Sequence, residues 1–416
     1  MEQDKGIFPT FFLSGFECST FIWKDQGRRD LCEETQHWSH AGEDYRMLHD
    51  LGIAVAREGI PWPLVDREGT LDFSCIDPFL DAQRRHDILP IWDLCHYGYP
   101  DDLDPFGADF PLRFAAYARA AAEYVVAGAH HGPHFFTPIN EITFFGYMAG
   151  EWAWAAPFGK DKETRRRFTL ALCEADIAAV KAIRSVVPEA RMVHIDPLIL
   201  VVPPKDRPDL ADEAWRETYD DAFFAFDVIG GLRHPEAGGA PDLLDIVGFN
   251  NYSFGQMEYR PDGPHAALEP GDPRIRPLCD LIEEGWKRYR RPVIVAETSG
   301  LHGGRPDWLN DVVSESLAAV SRGVDLHAIC LFPAVDMPDW GTGEWVHNGI
   351  ADLERLPNGS LMRKPFLPYV EMLHHWQKRL NRVTRLDEDP FDKRVDLRDI
   401  KRAASEIAPA ADADWH

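Results

Sequence analysis

The sequence predicts a single-domain (β/α)₈ barrel, the TIM-barrel architecture, with elaborated βα loops. Eight short apolar runs rich in Ile, Val, Leu and Phe alternate with amphipathic stretches of helical period. Continuous apolar strands are expected in a parallel sheet buried on both faces, and eight strand–helix units close a barrel. No internal repeat and no Gly-, Pro- or Ser-rich linker divides the chain. At 416 residues the chain is long for one domain but suits a barrel with loop insertions.

The expected elements follow one another in regular alternation. The predicted strands cover residues 11–16, 53–57, 89–94, 135–139, 191–195, 246–250, 293–296 and 328–332. The predicted helices cover residues 43–51, 76–86, 111–126, 163–187, 209–226, 277–289, 308–322 and 365–380. An open doubly wound sheet is the rival fold, but no glycine-rich phosphate loop follows the first strand. We assign residues 1–380 to the barrel and expect 381–416, which are charged and Ala-rich, to form a partly ordered tail.

Charge and cysteine usage limit the partners and the compartment. Lys and Arg number 44 against 69 Asp and Glu, a formal net charge of −25. Phosphate binding needs clustered basic residues, so this charge argues against nucleic acid or an anionic membrane as a partner and is compatible with a neutral small molecule. The seven cysteines contain no CxxC pair, and the first residues lack the pattern of a signal peptide. We expect a cytoplasmic protein; the oligomeric state stays open.

The candidate site lies where the predicted strands end, because barrel enzymes build their sites at the carboxyl ends of strands. The polar residues at those ends are Glu17, Arg57, His96, Asn140, Glu141, Asp196, Asn250, Tyr252, Glu297, Asp336 and Asp339. Loop aromatics near them are Trp62, Trp152, Trp154, Trp340 and Trp345. Carboxylates and amides hydrogen-bond hydroxyl groups, and an indole packs against the apolar face of a pyranose. The inventory therefore indicates a carbohydrate site.

Glu141 and Glu297 are the candidate catalytic pair, since the fourth and seventh strands face each other across the barrel mouth. In glycosidases, carboxyl groups roughly 5–5.5 Å apart retain the anomeric configuration, and those roughly 6.5–9.5 Å apart invert it. The sequence leaves that separation open.

Five segments in order carry a family resemblance. They are Arg57-Glu58-Gly59-Ile60-Pro61-Trp62, Leu94-Cys95-His96-Tyr97-Gly98-Tyr99-Pro100, Pro138-Ile139-Asn140-Glu141, Gly248-Phe249-Asn250-Asn251-Tyr252 and Val295-Ala296-Glu297-Thr298-Ser299-Gly300. This pattern, from about Pro9 to about Trp376, resembles the retaining β-glycosidases of clan A and most closely family 1, the β-glucosidase family.

The resemblance implies roles for the matching residues. Glu297 would be the nucleophile and Glu141 the acid/base, with Arg57 and Tyr252 holding Glu297 ionised and Asn140 binding the sugar 2-hydroxyl. The remaining residues expected to bind substrate are His96, Asn250, Glu17, Asp336, Asp339, Trp340, Phe332 and Trp152.

The chain also departs from the family pattern. The first-strand Gln of the family aligns near Ile22, with Glu17 earlier in that segment, and Phe332 takes the place of a Trp. Asp339 stands where the family has a longer Glu, and Ile142 rather than Pro follows the acid/base. These changes imply a divergent member of the family, whose sugar substrate need not be glucose. Many clan enzymes have a cis peptide after the eighth-strand aromatic, and because an X–Pro bond adopts cis at a cost of only about 0.5–1 kcal/mol, we predict that Phe332–Pro333 is cis.

Alternative interpretations accompany each feature. The two glutamates could form a structural ion pair with Arg57, and His96, Asn250 and Tyr252 could be packing or turn residues. His37-x-x-His40 and His130-His131-x-x-His134 lack a partner at a ligand spacing, so we expect no metal and no cofactor. The leading function is a retaining β-glycosidase acting on a small β-glycoside or oligosaccharide. A transglycosidase or biosynthetic enzyme with the same carboxylates, and a non-catalytic sugar-binding barrel, stay open.

Overall fold

Eight parallel strands close into a barrel, as the sequence predicts. The computed structural model describes residues 5–128, 132–380 and 394–411. The barrel strands are β1 (Phe12–Gly15), β2 (Val55–Gly59), β3 (Leu89–Asp93), β4 (Phe135–Thr137), β5 (Arg191–Pro197), β6 (Ile246–Asn250), β7 (Val293–Thr298) and β8 (Leu326–Leu331). Each strand pairs in parallel with its neighbours in sequence, and β1 pairs with β8 to complete the ring. All eight predicted strands are therefore confirmed.

Helices surround the barrel and bury one face each against it. They are α1 (His37–Asp50), α2 (Asp77–His86), α3 (Asp109–Gly128), α4 (Lys162–Val186), α5 (Phe224–Ile229), α6 (Leu278–Tyr289), α7 (Arg305–Ser321), α8 (Leu367–Arg379) and α9 (Leu397–Ala411). Local chemistry sets several of their ends. Asp161 caps the start of α4 by accepting from the Thr164 amide at 2.8 Å. Proline stands in the first turn of α2 and α7, where its missing N–H is not needed.

The predicted helix over residues 209–226 is wrong as one continuous element. The chain forms a short helix over Ala211–Arg216, widens into a π-turn over Glu217–Asp221, and resumes helical form in α5. Glu217 lies in the widened turn with a buried carboxylate that accepts from Lys162 at 3.0 Å and from Arg165 at 3.2 Å. A π-turn shifts the side chains that follow it, and here it coincides with a buried ion cluster that periodicity alone does not reveal.

Apolar side chains fill the barrel interior and the layer between barrel and helices. The interior includes Leu13, Val55, Ile91, Val193 and Ile294, all essentially without exposure. Every residue of β1, β2, β6, β7 and β8 is buried. Burial on both faces explains why these strands read as continuous apolar runs rather than alternating ones.

The amino-terminal face of the barrel is covered by two chain segments that pair with each other. Gly6 donates its amide to the Val395 carbonyl at 2.6 Å, and Val395 donates to the Phe8 carbonyl at 3.0 Å. Phe8 is fully buried against Phe135, with ring centroids 4.9 Å apart. Beyond this pairing, α9 packs on α7 and buries Ile400. The described part of the expected tail is thus helical and packed, although no helix was predicted there.

Insertions after the strands build the opposite, carboxyl-terminal face. The loop after β1 carries the hairpin Ile22–Trp23 and Gly27–Arg28, and the loop after β8 carries Ala351–Arg355 paired with Leu361–Pro365. The loops after β5 and β6 share a three-stranded sheet of Leu200–Val202, Gln256–Glu258 and Ala266–Ala267. In the described part of the chain, no helix has the length and apolar character needed to cross a bilayer.

Candidate active site

Side chains from five strand ends meet at the carboxyl-terminal rim. Arg57 comes from β2, Asn140 follows β4, and Glu297 belongs to β7. Parallel pairing brings these ends to one rim, since Arg57 lies opposite Gly15 of β1 and Asn250 opposite Glu297. Arg57 and Glu297 therefore lie together although they are 240 residues apart in sequence.

Glu297 is held by a different donor at each carboxylate oxygen. Arg57 Nη1 donates to Oε1 at 2.6 Å, and the Tyr252 hydroxyl donates to Oε2 at 2.9 Å. Only 4% of the Glu297 surface is exposed. A cation and a hydrogen-bond donor both favour the ionised form of a carboxylate. The arrangement fixes a carboxylate with both oxygens oriented.

Arg57 is the buried centre of this region. Its Nη2 donates to Asp93 Oδ2 at 2.6 Å and to Asn140 Oδ1 at 2.8 Å, and its Nη1 also reaches the Ala296 carbonyl at 3.1 Å. Burial opposes the ionisation of Asp93, but the Arg57 charge holds the pKa of Asp93 below its ordinary value. Two carboxylates, Glu297 and Asp93, thus share one fully buried guanidinium.

The floor beneath Arg57 is formed by Phe332 and Gly15. The Arg57 guanidinium lies 5.1 Å from the centre of the Phe332 ring. A Cβ at Gly15 would stand 2.8 Å from Phe332 Cδ2 and 2.9 Å from Arg57 Cβ, so only glycine fits. The Phe332–Pro333 peptide bond is cis, which confirms the prediction.

Glu141 faces this group from the end of β4. Asn250 Nδ2 donates to its Oε1 at 2.7 Å, and the Tyr97 hydroxyl donates to its Oε2. Glu141 is 7% exposed, and burial together with the nearby Glu297 raises the pKa of Glu141 to about 7. A carboxyl group that titrates near neutrality can both give and take a proton at physiological pH.

The backbone at Glu141 is bent to present this side chain. Its φ is +47°, in the left-handed region that non-glycine residues rarely adopt. Flanking bonds fix the bend, because the Glu141 amide donates to the Ile195 carbonyl at 2.9 Å and Asp196 accepts from the Thr143 amide at 3.0 Å. Strained backbone held in this way is frequent at functional sites.

His96 and Glu17 lie beside Asn140. Asn140 Nδ2 is 3.2 Å from His96 Nε2, and His96 Nδ1 is 3.2 Å from Asp93 Oδ2. Because the Asn140 amide donates to Nε2, the proton of a neutral ring sits on Nδ1 and points to Asp93. Glu17 Oε1 lies 4.0 Å from His96 Nε2, and burial raises the pKa of Glu17.

The two aspartates of the loop after β8 make their hydrogen bonds within that loop. Asp336 is fully buried and accepts from the Gly349 amide at 2.9 Å and from His347 at 2.8 Å. Asp339 accepts from the Gly341 and Thr342 amides at 3.0 and 2.7 Å. These bonds shape the loop, and among the described residues no hydrogen bond joins either aspartate to Glu141 or Glu297.

Trp340 and Trp152 belong to an aromatic cluster around Phe144 that includes Tyr97. The Trp340 ring lies 5.4 Å from that of Tyr97 and 6.2 Å from that of Phe144. Trp152 packs on Phe144 at 6.3 Å. Trp62, by contrast, is buried between β2 and α3, where its indole donates to Asp66 at 3.1 Å.

Two residues of the region were not singled out from sequence. Tyr97 donates to Glu141, and Asp93 holds Arg57 and His96. Asp93 ends the third apolar run, so the rule of reading the first polar residue after a strand could have found it. Tyr97 could not be found in this way, because its contact depends on a left-handed backbone with φ of +68°.

Among the described residues, two groups have the geometry to hold a metal ion: Cys18 with Asp93 and His96, and Asp336 with His347 and Asp352. Each group contacts a guanidinium, since Arg57 is 2.6 Å from Asp93 and Arg305 is 2.8 Å from Asp352. A fixed positive charge there opposes a cation, and the geometry favours ion pairs.

The histidine motifs have different outcomes. His37 lies between two carboxylates, with Nδ1 2.7 Å from Asp44 Oδ2 and Nε2 2.9 Å from Glu58 Oε2, deep in the fold. It is an ion-paired core residue. His130 and His131 of the second motif lie outside the described residues.

A glutamate bonded by Arg57 and Tyr252 thus lies near a second glutamate whose pKa is raised to about 7, an arrangement suited to acid–base work by a pair of carboxyl groups. Comparison with solved structures agrees on the fold. The family 1 β-glucosidase from Thermotoga maritima superposes with a TM-score of 0.72 at 16% identity, covering 90% of this chain and 98% of that one. The β-glycosidase BGL167 superposes with a TM-score of 0.65 at 21% identity, covering 83% and 87%.

The Thermotoga maritima β-glucosidase in complex with cyclophellitol gives a TM-score of 0.70 at 17% identity, over 90% and 99% of the two chains. No family model matches the sequence, and no curated protein matches it. The chain therefore has the fold of β-glucosidases, and at 16–21% identity the likeness shows the fold alone.

Proposed function

We propose that the protein is a divergent, family 1-like retaining β-glycosidase that hydrolyses a small β-glycoside through a covalent glycosyl-enzyme intermediate. The observation that carries this proposal is that the two glutamates have different electrostatic surroundings. Glu297 is bonded by Arg57 and Tyr252, whereas burial and Glu297 raise the pKa of Glu141 to about 7. One group suits attack on a carbon, and the other suits proton transfer.

In the first step the ionised Glu297 attacks the anomeric carbon. Glu141 gives its proton to the glycosidic oxygen, the bond from that oxygen to the anomeric carbon breaks, and the aglycone leaves as an alcohol. Arg57 and Tyr252 keep Glu297 oriented without neutralising it by proton transfer, which preserves the nucleophile until the bond forms.

In the second step Glu141, now ionised, takes a proton from a water molecule. The water oxygen bonds to the anomeric carbon, the ester to Glu297 breaks, and the carboxylate is restored. Two inversions at one carbon give net retention. We assign the 2-hydroxyl of the sugar to Asn140, whose side-chain oxygen accepts from Arg57 at 2.8 Å.

The remaining substrate contacts are proposals of differing support. His96, Asn250 and Glu17 lie in the hydrogen-bonded group around the carboxylates, and Phe332 lies beneath Arg57. Trp340 and Trp152 offer aromatic faces. Asp336 and Asp339 stay proposed substrate contacts, and their bonds to the Gly349 and Thr342 amides fix the loop that carries Trp340. All seven cysteines are free, which supports a reducing, cytoplasmic setting.

The decisive experiment combines trapping and product analysis. A panel of activated 2-deoxy-2-fluoro glycosides should label one residue, and peptide mass spectrometry should find it at Glu297. NMR of the first-formed product should show the anomer of the substrate. Glu297→Gln should abolish labelling and reduce kcat by about 10⁴-fold or more, since nothing else forms the intermediate. An inverted first product, or labelling that survives in Glu297→Gln, would reject the mechanism.

The same experiment separates the two alternatives left open by the sequence. Both carboxylates are nearly buried, at 4% and 7% exposure, which favours testing transfer to a sugar acceptor in place of water. Longer products that appear when acceptor sugars are added would identify a transglycosidase. A protein that binds sugars with measurable affinity but is never labelled would be a non-catalytic barrel.

A further inference from the structure

A chain of hydrogen bonds runs from Arg57 to Glu141 through Tyr97. Arg57 Nη2 donates to Asn140 Oδ1 at 2.8 Å, and Asn140 Nδ2 donates to the Tyr97 hydroxyl oxygen at 3.3 Å. The Tyr97 hydroxyl then donates to Glu141 Oε2. Every donor points the same way, from the guanidinium to the carboxyl group. Such chains polarise each successive bond, and each bond strengthens the next.

The Tyr97 ring is fixed in place, so this hydroxyl has one orientation available. The side chain is 3% exposed and meets the rings of His96, Phe145 and Trp340 at 4.8, 5.6 and 5.4 Å. The backbone beneath is held by close approach, because a Cβ at Gly98 would stand 1.9 Å from the Thr20 carbonyl oxygen. With Asn140 donating to its oxygen, the phenol proton is directed to Glu141.

Glu141 is therefore held at both oxygens by protein donors. Asn250 Nδ2 donates to Oε1 at 2.7 Å, on the side opposite the bond from Tyr97 to Oε2. A carboxyl group fixed at both oxygens cannot rotate freely. Fixed geometry of this kind is what a proton donor needs in its transition state.

We propose that Tyr97 is a positioning residue for Glu141, orienting its carboxyl group and stabilising its ionised form as the last link of the chain from Arg57. The kinetic consequence rests on the proposed role of Glu141 as the acid/base, whereas the effect on its ionisation does not.

The sign of the effect follows from the groups that face Glu141. Charged or titratable neighbours are Glu297 from β7, His96 after β3, Asp196 from β5 and Tyr252 after β6. Burial and Glu297 raise the pKa of Glu141, while the hydrogen bonds from Tyr97 and Asn250 lower it. Removing the Tyr97 hydroxyl removes one of the two hydrogen bonds that lower the pKa of Glu141, so this pKa should rise further.

The first test needs no turnover. Carbon-13 NMR of carboxyl-labelled glutamate, with the Glu141 signal assigned by Glu141→Gln, would follow its titration in wild type and in Tyr97→Phe. The midpoint should rise by about 0.5–1 pH unit in Tyr97→Phe, the equivalent of one ordinary hydrogen bond. The control is Tyr99→Phe, which removes the hydroxyl of a neighbouring buried tyrosine packed on Phe110 and should leave the midpoint unchanged.

A second variant gives the opposite sign. Replacing Tyr97 by 3,5-difluorotyrosine keeps the ring and makes the hydroxyl a stronger donor, so the midpoint should fall. Equal midpoints for wild type, Tyr97→Phe and the fluorinated protein would overturn the proposal, as would a fall in Tyr97→Phe.

The third measurement links the residue to catalysis. In Tyr97→Phe the alkaline limb of kcat/KM should move upward with the NMR midpoint, and kcat should fall more for alkyl glycosides than for dinitrophenyl glycosides. KM should change little. A uniform loss over all leaving groups with an unmoved pH profile would make Tyr97 a packing residue. Absence of turnover in wild type would reject the proposed function, while the NMR titration would still decide the role of Tyr97.

Discussion

Arg57 and Glu297 form a buried ion pair, with 2.6 Å between Nη1 and Oε1, at the point where β2 and β7 end. Arg57→Met should destabilise the protein by about 3–5 kcal/mol, because Asp93 and Glu297 would each keep a buried charge without its cation. Urea unfolding at pH 7 would measure the loss. Arg57→Lys keeps the charge but not the fork, so it should recover part of the stability and little of kcat. Equal stability of Arg57→Met and wild type would contradict the ion-pair account.

Hydrolysis should decline as pH rises through about 7. Glu141 must be protonated to assist the leaving group, and its pKa is raised to about 7 by burial and by Glu297. The alkaline limb of kcat/KM for an alkyl glycoside should therefore have its midpoint near that value. A dinitrophenyl glycoside, which leaves without a proton, should show little of this limb in wild type, and its kcat/KM in Glu141→Gln should be independent of pH near 7. A limb that persists unchanged in Glu141→Gln would belong to another group.

Tyr252→Phe should lower kcat by about 10–100-fold with a small change in KM. The hydroxyl donates to Glu297 Oε2 at 2.9 Å, and a hydrogen bond to a charged group contributes about 1.5–3 kcal/mol. Steady-state kinetics with an activated aryl glycoside would measure it. Tyr289→Phe, in α6, is the control: it removes a hydroxyl that donates to Asp227 at 3.0 Å, and it should leave kcat unchanged. Comparable losses in both variants would show a general packing effect.

His37 should make the folding stability depend on pH between about 6.5 and 9. Burial opposes its charge, but Glu58 and Asp44 outweigh burial and raise the pKa of His37 to about 9, from an ordinary value of 6.5. A raised pKa in the folded state gives stability that is complete below 6.5 and is lost as pH rises through 9. Arg363 and Tyr45 also contact the two carboxylates, at 2.7 Å each. The loss should reach about 3 kcal/mol.

Urea unfolding at pH 6.5, 8 and 9.5 would reveal that slope, and His37→Gln should flatten it. His40→Gln is the matched control, since His40 lies one turn along α1 beside the exposed Glu43. A wild-type slope that survives in His37→Gln would assign the dependence elsewhere.

The carboxyl-terminal helix should contribute to the stability of the whole barrel. Ile400 is 1% exposed in α9, which packs on α7. Ile400→Ala should cost about 2–4 kcal/mol and lower the single unfolding transition, whereas Lys401→Ala on the exposed face should stay within about 0.5 kcal/mol. Two separate transitions in wild type would show instead that the segment unfolds independently.

Sequence periodicity predicts the barrel well because both faces of each strand are buried, which leaves an unbroken apolar run in the chain. The helix α9 was missed although Leu397, Ile400 and Ala404 have helical spacing. The widened turn at Glu217 was not predictable from periodicity, because its carboxylate bonds to Arg165 and Lys162 from another element. Contacts between residues distant in sequence do not change the local periodicity of apolar residues, so periodicity does not reveal them.

The carboxylate pair was predictable because each glutamate closes an apolar run beside a recognisable neighbour. Tyr97 was not, since its hydroxyl reaches Glu141 only through the unusual backbone at its own position. The expected contact of Asp339 with substrate stays a prediction; its carboxylate accepts from the amides of its own turn, which the sequence did not indicate. Side-chain direction in loops is set by backbone turns that residue type alone does not specify.

The sharing of Arg57 among Glu297, Asp93 and Asn140 has an evolutionary consequence. Replacing one of these four residues changes the surroundings of the other three, so their contributions to stability and activity change as well. Effects of neighbouring substitutions do not add. Drift in this fold should therefore accumulate in the outer loops while the quartet persists or disappears together. A descendant that lost the chemistry would be recognised by simultaneous replacement of all four.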